Sequence, residues 1–196
     1  MFRALLLAGA VALPACGQSA APSDPEPQGE TSPAEAPVQP VGTTQPEITA
    51  AIIGDSGEEI GTVDLVEGPN GVMMTVELSD PAIAEGWHGL HIHAVGDCSD
   101  IGEFKRSGGH LGKIEGGHGL LNPDGPEKGD LPNIHVDDRG GANAQMFSNL
   151  FIFSDLQDED GAALIMHESM DDHMSQPIGG AGARVACAVL SGPNGE

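Results

Sequence analysis

Tyrosine is missing from this 196-residue chain, tryptophan occurs once, and aromatic residues together make up 3%. A core built on large rings is excluded, so burial must rest on Val, Ile, Leu, Ala and Met. Positive charge is equally scarce: seven Lys and Arg stand against thirty Asp and Glu, a net charge of −23. Nucleic acid is thereby excluded as a partner, because neutralising phosphates takes clustered Lys and Arg. No apolar run is long enough to cross a bilayer as a helix. Glycine, at 29 residues, and proline, at 15, are plentiful and count against a helical bundle, where both are costly inside the elements. Hydrophobic residues still reach 39%, enough for one globular core. Eight histidines in so acidic a chain direct attention to metal ligands.

The N-terminus reads as an address. Arg3 precedes an apolar run over residues 4–13, small residues follow, and then comes Cys16. That is the pattern of a secretory signal. Leu13-Pro14-Ala15-Cys16 resembles a bacterial lipobox, in which the cysteine is lipidated and becomes the mature N-terminus; ordinary signal cleavage is the alternative. Residues 17–46 hold seven prolines and almost no large apolar side chain. Such a stretch cannot offset its ordering entropy by burial, so it reads as a disordered tether. The expected organisation is a signal over residues 1–15, a tether over 16–46 and one folded domain over 47–196. This predicts an exported protein of the periplasm or cell envelope, lipid-anchored at the membrane. Setting aside Arg3 and the four acids of the tether, the domain keeps 26 acids and 6 bases, a charge of −20. In an oxidising compartment Cys98 and Cys187 remain as one pair for a disulfide, with two free buried thiols as the alternative.

From residue 47 onward the pattern is one of short strands. Residues 48–53, 60–66 and 72–78 alternate between apolar and polar and are separated by Gly54-Asp55-Ser56-Gly57 and Gly68-Pro69-Asn70-Gly71, a three-stranded meander. Further strands are expected over 90–95, 134–136, 144–151, 163–167 and 185–190. About eight strands without a helical period predict an all-β antiparallel sandwich or barrel. The glycine-rich stretch between Val95 and Asn133 is long for a connection, and such loops are usually functional.

His91-Ile92-His93 lies within a strand pattern, which puts both imidazoles on one face. The long loop adds His110 and His118, with Glu127 and Asp130 beyond; His167 ends another strand. Imidazoles suit copper and zinc, and an added carboxylate suits zinc better. The run Gly89-Leu90-His91-Ile92-His93-Ala94-Val95-Gly96-Asp97-Cys98 resembles the first signature of the copper–zinc superoxide dismutases in their bacterial exported form. Gly179-Gly180-Ala181-Gly182-Ala183-Arg184-Val185-Ala186-Cys187 resembles the second. Gly108-Gly109-His110, His118-Gly119-Leu120-Leu121-Asn122-Pro123 and Gly129-Asp130-Leu131-Pro132-Asn133 resemble the zinc loop between them.

This resemblance, running from about residue 47 to 191, implies an eight-stranded Greek-key β-barrel with a Cys98–Cys187 disulfide. It implies copper on His91, His93, His110 and His167, and zinc on His110 as a bridging imidazolate, His118 and Asp130. Asp171 matches the carboxylate that links a copper ligand, here His91, to a zinc ligand, here His118. Arg184 matches the arginine that overhangs copper and receives the anion. The implied activity is disproportionation of superoxide to oxygen and hydrogen peroxide, by Cu(II)/Cu(I) cycling with His110 carrying a proton. A homodimer is compatible with the resemblance.

The departures are specific. Seven residues separate His110 from His118, eight separate His118 from Glu127 and two separate Glu127 from Asp130, so Glu127 stands where the family usually places a third zinc histidine. Glutamate is an acceptable zinc ligand, and its charge brings the site to −1, part of which Lys128 is expected to offset. Leu111-Gly112-Lys113 replaces the usual Phe-Asn-Pro, and Ala188 a usual glycine. His88, His135 and His173 are expected on the surface or in loops. Met170, His173 and Met174 are read as exposed loop residues rather than a soft copper-loading patch. Two other classes stay in view: a non-catalytic copper-binding or trafficking lipoprotein, and an adhesive β-sandwich with a decayed site. The second has no use for His91, His93, His110, His167 and Arg184 in this arrangement.

Overall fold

The structure is a computed structural model that describes residues 47–193, apart from 80 and 82. The expected signal, the lipidated Cys16 and the tether lie outside the described residues. Among the described residues nine strands form: β1 (Ile48–Gly54), β2 (Glu59–Gly68), β3 (Gly71–Ser79), β4 (Gly86–His88), β5 (Leu90–His93), β6 (Ile134–Val136), β7 (Gly141–Ser148), β8 (Ala162–His167) and β9 (Arg184–Ser191). Seven of them make one curled antiparallel sheet in the order β5-β8-β9-β1-β2-β3-β7, and β4 pairs with β6. This is the Greek-key all-β architecture expected, with β4 as the strand that eight expected strands omitted. One helical turn, α1 (Phe153–Leu156), precedes β8.

Alternation builds the core. In β3, Val72, Met74, Val76 and Leu78 are buried while Met73, Thr75 and Glu77 face outward. The register of β1 on β2 skips a residue between Ile52 and Ile53, where Ile53 pairs with Glu59. The resulting bulge lets Ile60 turn inward, at 3% exposure.

The other end of the sheet positions the site. Strand β8 is buried at every residue, because both its faces are covered. Leu164 and Met166 join the main core with Leu90 and Ile92, whereas Ala163 and Ile165 pack in a second cluster with Phe104 and Cys187 under the long loop. His91 and His93 pair across strands with Ile165 and Ala163, so they share that loop-covered face. A Cys98–Cys187 disulfide, with Cα atoms 5.9 Å apart, fastens the loop to β9.

The outer edge of β5 is also closed by the loop. Ile92 N–H donates to Gly129 O at 2.8 Å, Leu111 N–H to Ile92 O at 2.8 Å, and Ala94 N–H to Gly109 O at 2.9 Å. Gly129 must lack a side chain here, since a Cβ would stand 2.2 Å from Ile92 O. This pairing brings Asp130 beside His91 and His110 beside His93.

Candidate metal centre

The β5 face, the long loop, the end of β8 and the segment after it bring eight polar side chains into one buried cluster. His91, His93, His110, His118, Glu127, Asp130, His167 and Asp171 are each at most 4% exposed. Ring centroids lie 4.2 Å apart for His91 and His110, 4.8 Å for His91 and His167, 5.2 Å for His93 and His110, and 5.1 Å for His110 and His118. Three groups offer ligand atoms within 4.8 Å of one another: His91 with His93 and His167; His91 with His110 and His118; and His110 with His118, Glu127 and Asp130. His110 belongs to two of them and stands between a set rich in imidazole and a set of two imidazoles and two carboxylates.

Hydrogen bonds aim the rings. His91 donates from Nε2 to Asp171 Oδ2 at 2.8 Å, His93 from Nδ1 to Gly108 O at 2.9 Å, and His167 from Nδ1 to Gly182 O at 3.0 Å. Each ring therefore turns its other nitrogen bare into the cluster: His91 Nδ1, His93 Nε2 and His167 Nε2 are buried without a hydrogen-bond partner, as are both nitrogens of His110. Buried polar atoms are ordinarily satisfied. Converging bare nitrogens, each with its other side anchored, are what a metal ion requires of imidazole ligands. Burial pulls the pKa of His91 down to about 4 and of His167 down to about 3, and carries His93 well below the ordinary histidine value, so these rings stay neutral and able to ligate.

The second set is held differently. Glu127 Oε2 lies 2.8 Å and Asp130 Oδ1 3.3 Å from His110 Nδ1, yet neither contact is aligned as a hydrogen bond. Asp130 Oδ2 accepts from the N–H groups of Gly119 at 2.8 Å and Glu127 at 2.9 Å, which leaves Oδ1 facing His118 Nδ1 at 2.8 Å. Burial opposes ionisation of Asp130, but the nearby His110 ring, the hydrogen bond with His118 and the Gly119 N–H prevail and hold it well below the carboxylate range. Burial likewise opposes the charge on His118, while Asp130 and Asp171 push its pKa up to about 10. Metal entering this set must displace that proton.

Asp171 links the two halves. Its Oδ2 accepts from His91 and its Oδ1 from His118 Nε2 at 3.2 Å. Burial raises its pKa, but the bonds from His118 and His91 outweigh that and keep it ionised. Gly179, at φ +61°, gives this carboxylate its room: a Cβ there would lie 1.6 Å from Asp171 Oδ1. Asn133, whose role the sequence did not disclose, clamps the same residue, accepting from Asp171 N–H and donating to Asp171 O, both at 2.9 Å.

At the mouth, Arg184 and Lys105 line a cavity of about 320 Å³ that reaches His167. Arg184 is half-buried, which lowers its pKa. Its guanidinium donates to Phe104 O, Ser107 Oγ and Gly108 O. Lys105 pairs with Glu103 at 2.9 Å on the exposed rim.

Some expectations need correction. His88 is not a surface residue: it is 2% exposed, with its ring nitrogens facing His167 O at 2.7 Å and Ala84 O at 2.9 Å. Lys128 does not compensate Glu127, because its ammonium pairs with Asp155 at 2.7 Å. His135 is exposed, as expected, edge-on to Trp87. His173 sits half-buried in its loop, its Nε2 accepting from Asn133 at 3.0 Å, while Met170 and Met174 are about half exposed. The ring is thus engaged inward rather than grouped with the two thioethers.

The family model described as copper/zinc superoxide dismutase (SODC) matches residues 59–190. The chain is 42% identical over 149 residues to the Caulobacter vibrioides protein named superoxide dismutase [Cu-Zn], covering 72% of this chain and 84% of that one. It is 30% identical over 196 residues to the superoxide dismutase-like protein YojM of Bacillus subtilis, covering 97% and 95%. Among solved structures, the Cu/Zn superoxide dismutase from Brucella abortus superposes with a TM-score of 0.60 at 26% identity, covering 73% of this chain and 98% of that one. The fold and the site define a metal-binding Greek-key oxidoreductase. The chain belongs to the copper/zinc superoxide dismutase family, whose cofactors are copper and zinc.

Proposed function

We propose that this protein disproportionates superoxide: two superoxide anions and two protons give one oxygen and one hydrogen peroxide. The convergence of bare ring nitrogens from His91, His93, His110 and His167, with the rings of His91, His93 and His167 anchored through their other nitrogen, carries the reading. These four rings would hold copper; His110, His118, Asp130 and Glu127 would hold zinc. Copper would supply the one-electron exchange there, and zinc would help hold His110 in place. His110 Nε2, which has no hydrogen-bond partner, can take up a proton and release it to the forming peroxide, while Nδ1 faces Glu127 Oε2 at 2.8 Å. Arg184 presents a fixed cation at the cavity mouth for the arriving anion. The N-terminal sequence supports export, with lipidation at Cys16 anchoring the domain to a membrane in the periplasm or envelope.

The test is metal content and superoxide turnover of the purified protein. Copper and zinc bound together with fast turnover is the expected result. Copper bound without turnover would replace the enzyme with a copper-binding protein on the same fold.

A further inference from the structure

The loop before His110 places one hydroxyl between a copper-facing ring and the arginine at the mouth. Ser107 is fully buried, at 0% exposure. Its Oγ donates to Phe104 O at 2.8 Å, accepts from Arg184 Nη1 at 3.0 Å and lies 3.3 Å from His93 Nδ1. A hydroxyl has one donor and two lone pairs. Donation to Phe104 O therefore leaves the lone pairs for the guanidinium and for the His93 Nδ1–H, which the hydroxyl shares with Gly108 O at 2.9 Å. Every hydrogen-bonding role of Ser107 is filled, and each is consistent with a bare Nε2 on His93.

We propose that Ser107 is a positioning residue: it locks the Arg184 guanidinium to the backing of His93, so that the cation stands at a fixed offset from the copper site. The guanidinium has five N–H donors. Both on Nη1 are taken, by Phe104 O and Ser107 Oγ, and one on Nη2 by Gly108 O. The remaining Nη2–H and the Nε–H stay free for an anion. Phe104 sets the geometry from below, since its buried ring holds the residue at φ 49° while its carbonyl receives both Arg184 and Ser107. Without the hydroxyl, Nη1 loses one of its two anchors and the fork can rotate.

The inference rests on the proposed role of Arg184 as anion receiver, and the experiment separates the two. Azide, a small monoanion that coordinates Cu(II), is titrated into the copper- and zinc-loaded parent, S107A and R184A proteins, with copper per chain measured alongside. S107A should keep its copper and weaken azide binding by about three- to tenfold, the effect of one lost hydrogen bond to a charged group that retains others. R184A should weaken it further. In the zinc-loaded, copper-free protein, the side-chain 15N spectrum of Arg184 should show faster Nη1–H exchange in S107A than in the parent. Parent-like azide affinity in S107A with a weakened R184A overturns the role of Ser107 alone. Parent-like affinity in both overturns the reading of Arg184 as well. Copper lost together with azide binding in S107A also overturns the inference, reducing Ser107 to a support of His93.

Discussion

Glu127 reaches back to His110: its Oε2 lies 2.8 Å from the Nδ1 of that ring, while its Oε1 accepts from Ile114 N–H at 2.9 Å. The backbone contact fixes the carboxylate, so that one oxygen faces His110 and the other is tied to the loop. Glu127→Gln separates these roles, since an amide oxygen can keep the Ile114 bond while the amide nitrogen cannot ligate. Glu127→Gln and Glu127→Ala should both lower zinc affinity, by about tenfold or more. Only the alanine variant should also lower the melting temperature of the metal-free protein. Elemental analysis and calorimetry make the check, and unchanged zinc in both variants would remove Glu127 from the site.

Asp171 bonds one ring of each metal set, which makes it a single point of failure for both. Asp171→Ala should reduce copper and zinc affinity together, each by about 10- to 100-fold, the usual cost of losing a carboxylate behind a ligating histidine. Competition titrations against chelators of known affinity would measure both. A loss confined to one metal would show that the bridge between His91 and His118 does not couple the halves.

Net charge and local charge oppose one another in this molecule. The domain carries −20, yet Arg184 and Lys105 line the mouth. At about 0.15 M salt the Debye length is roughly 8 Å, so distant acids count little at the site. Arg184→Ala should slow dismutation by about a hundredfold. Neutralising Asp24, Glu26, Glu30 and Glu35 together should change the rate less than about twofold. Pulse radiolysis would measure both, and equal effects would refute local control of the rate.

The main strands and the shared face of His91 and His93 were legible because period two carries them, whereas the joining of His110, His118 and His167 to that face was implied by the resemblance to the family signatures. The meander β1 to β3 follows directly from alternation, and His91-Ile92-His93 declares its own face. What stayed hidden depends on contacts between segments far apart in sequence. Strand β4 is three residues long, too short for a period to show, and its His88 looks like any loop histidine until β8 delivers a carbonyl to it. Lys128 stands beside Glu127 in sequence but turns to Asp155, 27 residues away. Asn133 and Ser107 are ordinary polar residues whose only signal was proximity to Asp130 and His110.

His88 offers the sharpest test of how the strand carrying His167 is supported. Its ring nitrogens sit against the backbone carbonyls of His167 and Ala84, so it ties the end of β8 to the segment before β4. Alanine there would leave a ring-sized void and remove the ring from the buried His167 carbonyl and the part-buried Ala84 carbonyl, a cost of about 2–5 kcal/mol. For a domain of this size that corresponds to a melting temperature lower by roughly 6–15 °C. His167 would also lose the anchor on its own carbonyl, so copper affinity should fall while zinc affinity, which depends on the distant His118 and Asp130, holds. Thermal unfolding of the metal-free variant, followed by copper and zinc titrations, tests both parts. A melting temperature within about 2 °C of the parent would mean that solvent replaces the ring at no cost, and that the buried bridge does not support β8.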